Sequence, residues 1–269
     1  MQIASIVSGS SGNCIYVGND ECSFLVDTGV SKKKIEDGLA KLNLSAKDID
    51  GIFITHEHSD HISGLGVFTR KYPVPVYGTK ETLDYIQQCG KLGKLDSDLF
   101  VPIEADNSIK IKSMMIHPFH ISHDALNPVA YRFETEENGI KKTFALATDL
   151  GMYTDYTVQN LSDLDVVLLE SNHDVNMLQV GTYPYQLKQR ILGKRGHLSN
   201  EMSGRLLNSI LHDNIKKVFL GHLSRENNFE ELAYETVRSE ITTSDNQYKA
   251  DDFDIEIASR EKTSELVVF

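Results

Sequence analysis

Residues 55–61 carry the side chains that are best suited to metal chemistry in this sequence. Within six positions they contain His56, His58, Asp60 and His61. Neutral imidazoles suit Zn²⁺, Mn²⁺ and Fe, and a carboxylate adds an anionic oxygen ligand. Two histidines that are two residues apart in an extended segment can face the same way. A polar turn with chance histidines would explain one such residue but not this set, so we predict a metal site.

The same kind of residue recurs where other predicted strands end. Apolar runs that read as strands finish at ligand-type side chains, which are Asp27, His56, Asp149, Glu170 and His222. Ligands tend to bind at the carboxyl ends of strands in open α/β sheets. One such ending would be noise, but five predict that a single sheet edge collects a polar, metal-competent site. Asp27 alone is equally well explained by a turn.

Strand and helix patterns predict a layered α/β protein. Apolar, β-branched runs predict strands at residues 2–8, 13–17, 23–26, 51–54, 74–77, 109–116, 129–133, 143–147, 165–169, 217–220, 254–258 and 265–268. Helical patterns follow Ser31 and cover residues 64–70, 79–88, 185–192, 199–212 and 226–240, whereas residues 90–107 are predicted to be irregular. This order predicts two sheets covered on their outer sides by helices. Because no linker-like stretch divides the chain, we expect one domain over residues 1–269.

Composition limits the classes of function. The net charge of −12 argues against a protein that coats nucleic acid non-specifically, although one locally basic groove is compatible with it. No apolar run approaches the ~18 residues of a membrane span, so none is expected. The three scattered cysteines predict reduced thiols in a cytoplasm, with Cys14 and Cys22 packing as small hydrophobic residues.

Two further segments are open to more than one interpretation. His117, His120 and His123 are spaced by three, but Pro118 and a second proline argue against a helix, so we expect a loop with one ligand among them. The small, glycine-rich loop at residues 8–13 is either an anion-binding nest or an ordinary tight turn between strands.

The whole chain resembles a known superfamily. The motif His56-x-His58-x-Asp60-His61, with a later His, an Asp after a strand and a last Gly-His, resembles the metallo-β-lactamase superfamily. Residues 8–13, 122–125, 148–151, 170–174 and 221–224 resemble more closely the bacterial YycJ/WalJ family of metal-dependent hydrolases, for which exonuclease activity is proposed. The resemblance implies an α/β fold, the four-layer αβ/βα sandwich, with two mixed sheets and helices outside.

The resemblance also implies two divalent metal ions, Zn or Mn, with Fe as a further option. The first metal would be bound by His56, His58 and His123. The second would be bound by Asp60, His61 and His222, with Asp149 bridging the two. Asp27 would support the ligand loop, and His120 competes with His123. Glu57 and Ser59 are spacers on this interpretation.

A second likeness concerns the tRNA 3′-processing members of the superfamily. Their Glu, His-Ser and His-x-Ser order resembles Glu170, His197-Leu198-Ser199 and the later Gly-His-Leu-Ser of this chain. By that analogy His197 is a candidate proton donor that Glu170 orients, whereas the alternative is a polar residue at a helix start. Water between the two cations would lose a proton more readily, and Asp60 would orient the resulting hydroxide for attack.

The substrate is inferred from local charge. Four cations, Lys188, Arg190, Lys194 and Arg195, lie just before His197 and either grip phosphates or form a solvated helix end. The weaker candidates for substrate contact are Arg225, Ser10 and His173. We expect a nucleic-acid phosphodiesterase, a 5′-to-3′ exonuclease on DNA rather than RNA. The alternatives are a thioester or lactone hydrolase and a non-catalytic, metal-stabilised regulatory module.

Overall fold

Two seven-stranded sheets form the centre of the computed structural model, which describes residues 1–269. The first sheet has the order β14-β1-β2-β3-β4-β5-β6, made of β1 (Gln2–Val7), β2 (Cys14–Gly18), β3 (Ser23–Val26), β4 (Gly51–Phe53), β5 (Val76–Thr79), β6 (Phe100–Ile103) and β14 (Val267–Val268). The second has the order β13-β12-β11-β10-β9-β8-β7, made of β7 (Ile109–Ile111), β8 (Met114–His120), β9 (Val129–Glu137), β10 (Ile140–Ala147), β11 (Val166–Glu170), β12 (Lys217–Gly221) and β13 (Ile255–Ile257). The helices are α1 (Lys32–Lys41), α2 (Ser59–Ile62), α3 (Leu65–Lys71), α4 (Lys80–Gln88), α5 (Asp155–Asn160), α6 (Val175–Val180), α7 (Tyr185–Leu192), α8 (Asn200–Ile210) and α9 (Glu230–Thr243).

Three apolar layers hold these elements together. Because side chains alternate along a strand, Phe24 and Val26 of β3 point into the layer between the sheets, while Leu25 points into the layer under α1, α3 and α4. The second sheet does the same, with Leu168 between the sheets and Leu169 in the layer under α8 and α9. Strands that are buried on both faces read as continuous apolar runs, which is why they were predictable. The predicted four-layer αβ/βα sandwich is confirmed.

An aromatic cluster fixes the strand that leads into the histidine-rich loop. Phe53, the last residue of β4, stacks on Tyr77 at 4.8 Å between ring centroids and meets Phe24 and Tyr131 edge-on at 5.3 Å. Deleting such a buried ring costs about 3–5 kcal/mol in a typical core. The loop after β4 therefore starts from a rigid point between the two sheets.

Parallel pairing brings the predicted strand tips to one edge. Strands β3 to β6 run parallel to one another, as do β10 to β13, so the carboxyl ends within each set lie side by side. Asp27, Asp149 and His222, which follow β3, β10 and β12, all have φ between 55° and 61°. Left-handed backbone at non-glycine residues is uncommon and concentrates where tertiary contacts enforce it, often at functional sites.

Several local predictions are confirmed and others are wrong. Ser31 caps α1 by accepting a hydrogen bond from Lys34 N, and Ser199 caps α8, as predicted. Residues 90–107 are not wholly irregular, because they include β6, an edge strand whose exposed Val101 and Pro102 hide its pattern. The short helices α5 and α6 were not predicted. No helix has both the length and the apolar composition that are needed to cross a membrane.

The His117–His120 segment is a strand rather than the predicted loop. It forms the end of β8, where Pro118 pairs with Tyr131 of β9. A proline lacks a backbone N–H. On this side β7 pairs with β8 only as far as Ile116, so no strand lies beside Pro118 that would need a hydrogen bond from it. The prolines therefore argued correctly against a helix, but they did not exclude a strand at this position.

The cysteines behave as predicted from their scattered positions. All three are free, and Cys14 and Cys22 are buried within apolar layers. Burial raises the pKa of the Cys14 thiol and raises that of Cys22 to about 11. Since the thiolate is the form that binds metals and attacks electrophiles, these two buried thiols are poorly suited to either role.

Candidate metal centre

The side chains that were predicted to bind metal converge at the shared edge of the two sheets. Within each of four overlapping groups, the ligand atoms lie within 4.8 Å of one another, the groups being His56–His58–His123, Asp60–His61–His222, His56–His61–Asp149 and Asp149–Glu170–His197–His222. The first two groups are the two ligand triads that the resemblance implied. Their roles remain predictions, but the folded chain brings every predicted ligand into one cluster.

The first triad points three ring nitrogens at one place. His58 Nδ1 lies 3.1 Å from His56 Nε2 and 3.2 Å from His123 Nε2. The opposite nitrogens are held from behind, His56 Nδ1 at 3.0 Å from Thr55 Oγ1 and His123 Nδ1 at 3.1 Å from Gly196 O. Burial lowers the pKa of His56 and of His123, so both rings are kept in the neutral form that binds metals.

The second triad lies on the other side of Asp149. Asp60 Oδ2 is 3.4 Å from His61 Nε2 and 3.7 Å from His222 Nε2. Asp149 Oδ2 is 3.2 Å from His61 Nε2, while Asp149 Oδ1 is 3.6 Å from His123 Nε2 in the first triad. One oxygen of Asp149 thus faces each triad, which is the placement expected of a bridging carboxylate.

The electrostatics of the cluster call for a cation. Burial would lower the pKa of His222, but the nearby charges of Asp149, Glu170 and Asp60 together outweigh it and raise that pKa to about 9. Burial would likewise raise the pKa of Asp149, yet His222 and His61 hold it well below its usual range. Although Asp149 Oδ2 lies 3.2 Å from His222 Nδ1, the pair lacks hydrogen-bond geometry, and both His222 nitrogens are without a partner. Buried polar atoms rarely stay unpaired, so this donor set fits divalent metal ions.

Asp27 holds the histidine loop from behind rather than joining the cluster. Its Oδ2 accepts from His61 Nδ1 at 2.8 Å, and its Oδ1 accepts from Thr55 N at 2.9 Å. The bond to Nδ1 leaves His61 Nε2 facing the cluster, as a supporting carboxylate does for many metal-binding histidines. Two residues further on, a Cβ on Gly29 would lie 1.6 Å from Asp60 O, so only glycine lets this loop approach the ligand segment.

The glycine-rich loop before β2 acts as a scaffold. Ser8 Oγ accepts from His222 N at 2.9 Å, and Asn13 Oδ1 accepts from Gly9 N at 3.0 Å. The loop's backbone N–H groups of Gly9, Gly12 and Asn13, which an anion-binding nest would present, all donate within the protein. Ser10 lies exposed at the tip, away from these contacts. The geometry favours the turn interpretation over the nest.

Glu170 and His197 form a hydrogen-bonded pair beside the cluster. Glu170 is fully buried, and its Oε1 accepts from His197 Nδ1 at 2.7 Å. Its Oε2 accepts from Leu150 N at 2.8 Å and from Leu198 N at 3.1 Å. His197 Nδ1 lies 3.7 Å from Asp149 Oδ1, and the ring remains partly exposed. The bond to the carboxylate fixes Nδ1 as a donor, so Nε2 is the nitrogen that is left to meet a substrate.

Three of the four predicted phosphate-binding cations have partners within the protein. Arg190 makes a bidentate ion pair with Asp124, whose Oδ1 is 2.9 Å from Nη2 and 3.5 Å from His123 Nε2. Arg195 Nε donates to His123 O at 3.0 Å. Lys188 Nζ donates to two backbone carbonyls. Arg190 and Arg195 therefore brace the segment that carries His123.

Two other cations have no such partners. The side chains of Lys194 and Arg225 are exposed and make neither a hydrogen bond nor an ion pair. They are the predicted cations that a phosphate can reach without displacing a protein group.

The remaining histidines stand apart from the metal-competent groups. His120 is exposed on β8, and His117 pairs with Glu134 at 3.2 Å, so of the three spaced histidines only His123 joins the cluster. His173 is buried with both ring nitrogens unpaired, and burial lowers its pKa to about 4. His173 was nominated as a weaker substrate contact; its side chain lies buried, and that role stays a prediction.

Glu57 was predicted to be a spacer, but its side chain connects separate parts of the fold. Its buried carboxylate accepts from Leu126 N at 2.8 Å and from Thr82 Oγ1 at 3.2 Å. It thereby links the histidine loop to α4 and to the segment after His123. Ser59, by contrast, is exposed, as a spacer would be. The position of a carboxylate between two histidines was the only sequence feature that pointed to a role for Glu57. Its partners, Thr82 and Leu126, are too distant in sequence to be predicted.

Sheets that carry a histidine and aspartate cluster at their edge, with helices on both outer sides, are the architecture of the metallo-β-lactamase superfamily. Residues 7–141 match the Metallo-beta-lactamase superfamily. The structure of YhfI from Bacillus subtilis superposes with a TM-score of 0.69 at 16% identity over 98% of each chain, which concerns the fold alone.

Two curated relatives are much more similar in sequence. The chain is 41% identical over 240 residues to "Exodeoxyribonuclease WalJ" of Streptococcus pneumoniae, covering 89% of this chain and 88% of the relative. It is 37% identical over 233 residues to "Exodeoxyribonuclease YycJ" of Bacillus anthracis, covering 87% and 86%. The chain therefore belongs to the metallo-beta-lactamase superfamily and, within it, to the family of WalJ and YycJ.

Proposed function

We propose that the protein is a metal-dependent nuclease, a phosphodiesterase that removes nucleotides from a DNA strand in the 5′-to-3′ direction. The observation that carries this proposal is the hydrogen-bonded Glu170–His197 pair beside two metal-competent triads, with His197 Nδ1 3.7 Å from Asp149 Oδ1. Both curated relatives are named exodeoxyribonucleases, which favours DNA over RNA.

We further propose two divalent ions, Zn²⁺ or Mn²⁺, with Fe as an option. His56, His58 and His123 would hold one, Asp60, His61 and His222 the other, and Asp149 would contact both. Bound there, such ions supply an activated water and polarise a phosphoryl oxygen. Elemental analysis of protein purified without added metal tests the stoichiometry, and one ion or none per chain would contradict it.

The chain's own residues have separable tasks in this proposal. Asp60 is partly exposed at the mouth of the cluster, where its carboxylate can orient the attacking oxygen. His197 donates the proton that the departing oxygen needs, through the Nε2 that Glu170 leaves free. Lys194 and Arg225 attract the phosphates of the flanking strand, since their charges are not neutralised within the protein.

End-labelled DNA incubated with the protein and Mn²⁺ or Zn²⁺, beside a panel of thioesters, tests the reaction. We expect stepwise shortening of the DNA and no thioester turnover, with activity and metal content both lost in His58→Ala. Thioester turnover with intact DNA would replace the proposal by the small-molecule hydrolase alternative. Unchanged activity in metal-stripped His58→Ala would refute the metal mechanism.

We also infer that residues 1–269 form one domain that works in the cytoplasm. The layer between the sheets draws side chains from both halves of the chain, such as Phe24 and Phe219, which supports one folding unit. Three free thiols suit a reducing compartment. A single cooperative unfolding transition and recovery in the cytoplasmic fraction are the expected results, and two transitions or a membrane fraction would contradict them.

A further inference from the structure

A cavity of about 520 Å³ opens beside the metal cluster on the side of the first triad. Its floor includes His58 and Ile62 of the histidine loop and helix α2. Its walls are Tyr85 of α4, Leu92 in the segment after α4, and Leu126 in the segment after His123. Tyr85 and Leu126 are 38% and 58% exposed, so an aromatic and an aliphatic side chain face a ligand-sized space without being covered.

The walls of this cavity are fixed to the metal loop. Glu57 lies between the two histidines of the first triad, and its carboxylate accepts from Leu126 N and from Thr82 Oγ1. Thr82 and Tyr85 are three residues apart on α4 and therefore share a face. The buried Glu57 carboxylate thus joins α4 and the segment that carries Leu126 to the loop between His56 and His58. These bonds fix the position of the cavity relative to His58.

The chemistry of the lining selects the class of ligand. The volume is within the ~300–1,000 Å³ that is usual for small-molecule sites. Glu57 is the only acidic lining residue and both of its oxygens accept hydrogen bonds, whereas Lys91 adds a positive charge at the rim. A planar, uncharged ring that is attached to a phosphate fits such a site, because an aromatic side chain can stack on it and the cation can meet the anion.

We propose that this cavity holds the base of the nucleotide that adjoins the cleaved phosphodiester, with Tyr85 as the stacking surface. This inference rests on the proposed nuclease function and specifies where its substrate lies. His58 belongs to the first triad and also lines the cavity, so a nucleoside next to a phosphate at that triad faces the cavity that Tyr85 lines. Stacking on a phenol ring accepts any base, so the cavity supports digestion without sequence preference.

The test compares two oligonucleotides in the metal-loaded enzyme. One carries thymidine next to the cleaved bond, and the other carries an abasic tetrahydrofuran residue there. Because base stacking on an aromatic side chain is worth ~1–3 kcal/mol, we expect the wild type to prefer the thymidine strand by about 5- to 150-fold in kcat/KM. Tyr85→Ala should cut this preference to near one, mainly by slowing the thymidine strand, and Tyr85→Phe should retain it.

Controls separate the cavity from general damage. Ile140→Ala removes an apolar side chain that is also 58% exposed but lies at the opposite end of β10 from Asp149, and it should keep the preference. Melting temperature and metal content should match the wild type in every variant. If Tyr85→Ala does not fold, Leu126→Ser removes the facing wall at an exposed position and should lower the preference.

The outcomes distinguish this inference from the function on which it rests. A wild type that degrades DNA but treats the two strands alike would overturn the cavity assignment and leave the nuclease intact. A base preference that survives both Tyr85→Ala and Leu126→Ser would do the same. A wild type that leaves both strands uncut would overturn the nuclease proposal and this inference together.

Discussion

Replacing His197 with alanine tests whether its imidazole protonates the leaving oxygen. Glu170 holds Nδ1 at 2.7 Å, which leaves Nε2 as the nitrogen for the substrate. General acid catalysis by a positioned side chain contributes about 10²- to 10⁴-fold. At 1.36 kcal/mol per factor of ten, this loss corresponds to about 3–5 kcal/mol of transition-state stabilisation. We therefore expect His197→Ala to lower kcat on DNA by at least about a hundred-fold, with unchanged metal content.

Substrates with different leaving groups show whether the loss of kcat in His197→Ala comes from the missing proton donor. A DNA alkoxide needs a proton as it departs, whereas p-nitrophenolate leaves readily without one. On the p-nitrophenyl ester of thymidine 5′-phosphate, His197→Ala should therefore stay within a few-fold of the wild type. Equal losses on DNA and on the activated ester would refute the proton-donor role and would point to a role in binding or folding.

Glu170→Gln provides the matched variant, since it changes one oxygen to an amide nitrogen. The wild-type carboxylate accepts from His197 Nδ1 and from two backbone N–H groups at its two oxygens. Glutamine has only one acceptor oxygen, so its NH₂ group must face either His197 Nδ1 or the backbone N–H groups of Leu150 and Leu198. The hydrogen bond that is lost there costs about 1–3 kcal/mol because the site is buried. We expect a smaller loss of kcat than in His197→Ala with the same dependence on the leaving group. A Glu170→Gln enzyme that cuts DNA at the wild-type rate would remove the orienting role.

Three further changes probe the support around the cluster. Asp27→Asn weakens the hold on His61 Nδ1, so metal affinity in a chelator competition should fall by about 10- to 100-fold, and unchanged affinity would contradict this role. Glu57→Gln can keep both hydrogen bonds and should preserve metal content, whereas Glu57→Ala should lower the melting temperature by several degrees. A drop in the metal content of Glu57→Gln would contradict a purely structural role for Glu57. Burial lowers the pKa of His173 from 6.5 to about 4, so the unfolded state binds its proton more readily and stability is lost as pH falls through this range. At 1.36 kcal/mol per pKa unit, the His173 contribution alone should be about 2 kcal/mol less favourable at pH 5 than at pH 7, so in denaturation with a chelator present the loss of stability between these pH values should be smaller by about this amount in His173→Gln than in the wild type.

The strand tips were predictable because their signals are local. A strand that is buried on both faces is an uninterrupted apolar run, so the residue where the run stops marks the edge of the sheet. Asp149 and Glu170 could be placed at one edge from that rule alone, without knowing the order of the strands. The family resemblance then divided the ligands into two triads, and the folded chain brings each triad together.

The contacts that hold the triads could not be predicted, because they join residues far apart in the sequence. Arg190 was interpreted either as a phosphate contact or as part of a solvated helix end, yet it faces Asp124, 66 residues earlier, and the pattern of charges gives no sign of that pairing. Glu57 was treated as a spacer because the division of the motif into two ligand sets gave it no role, whereas its partner Leu126 N is 69 residues away in sequence. Edge strand β6 was not predicted for another reason. Its two central residues, Val101 and Pro102, are both exposed, so the strand lacks an alternation of buried and exposed positions.

Each triad takes its predicted ligands from both sheets, so a metal ion bound there would be part of the fold. His58 belongs to the loop after β4 of the first sheet, whereas His123 follows β8 of the second. In the other triad His61 comes from the first sheet and His222 from the second, and Ser8 already joins them by accepting from His222 N across the same edge. A cation bound by either triad contacts both sheets at once. Because a ligand that binds only the folded state stabilises it, by about 2.7 kcal/mol at a hundred times its Kd, metal binding by these triads would add directly to the free energy that holds the two sheets together.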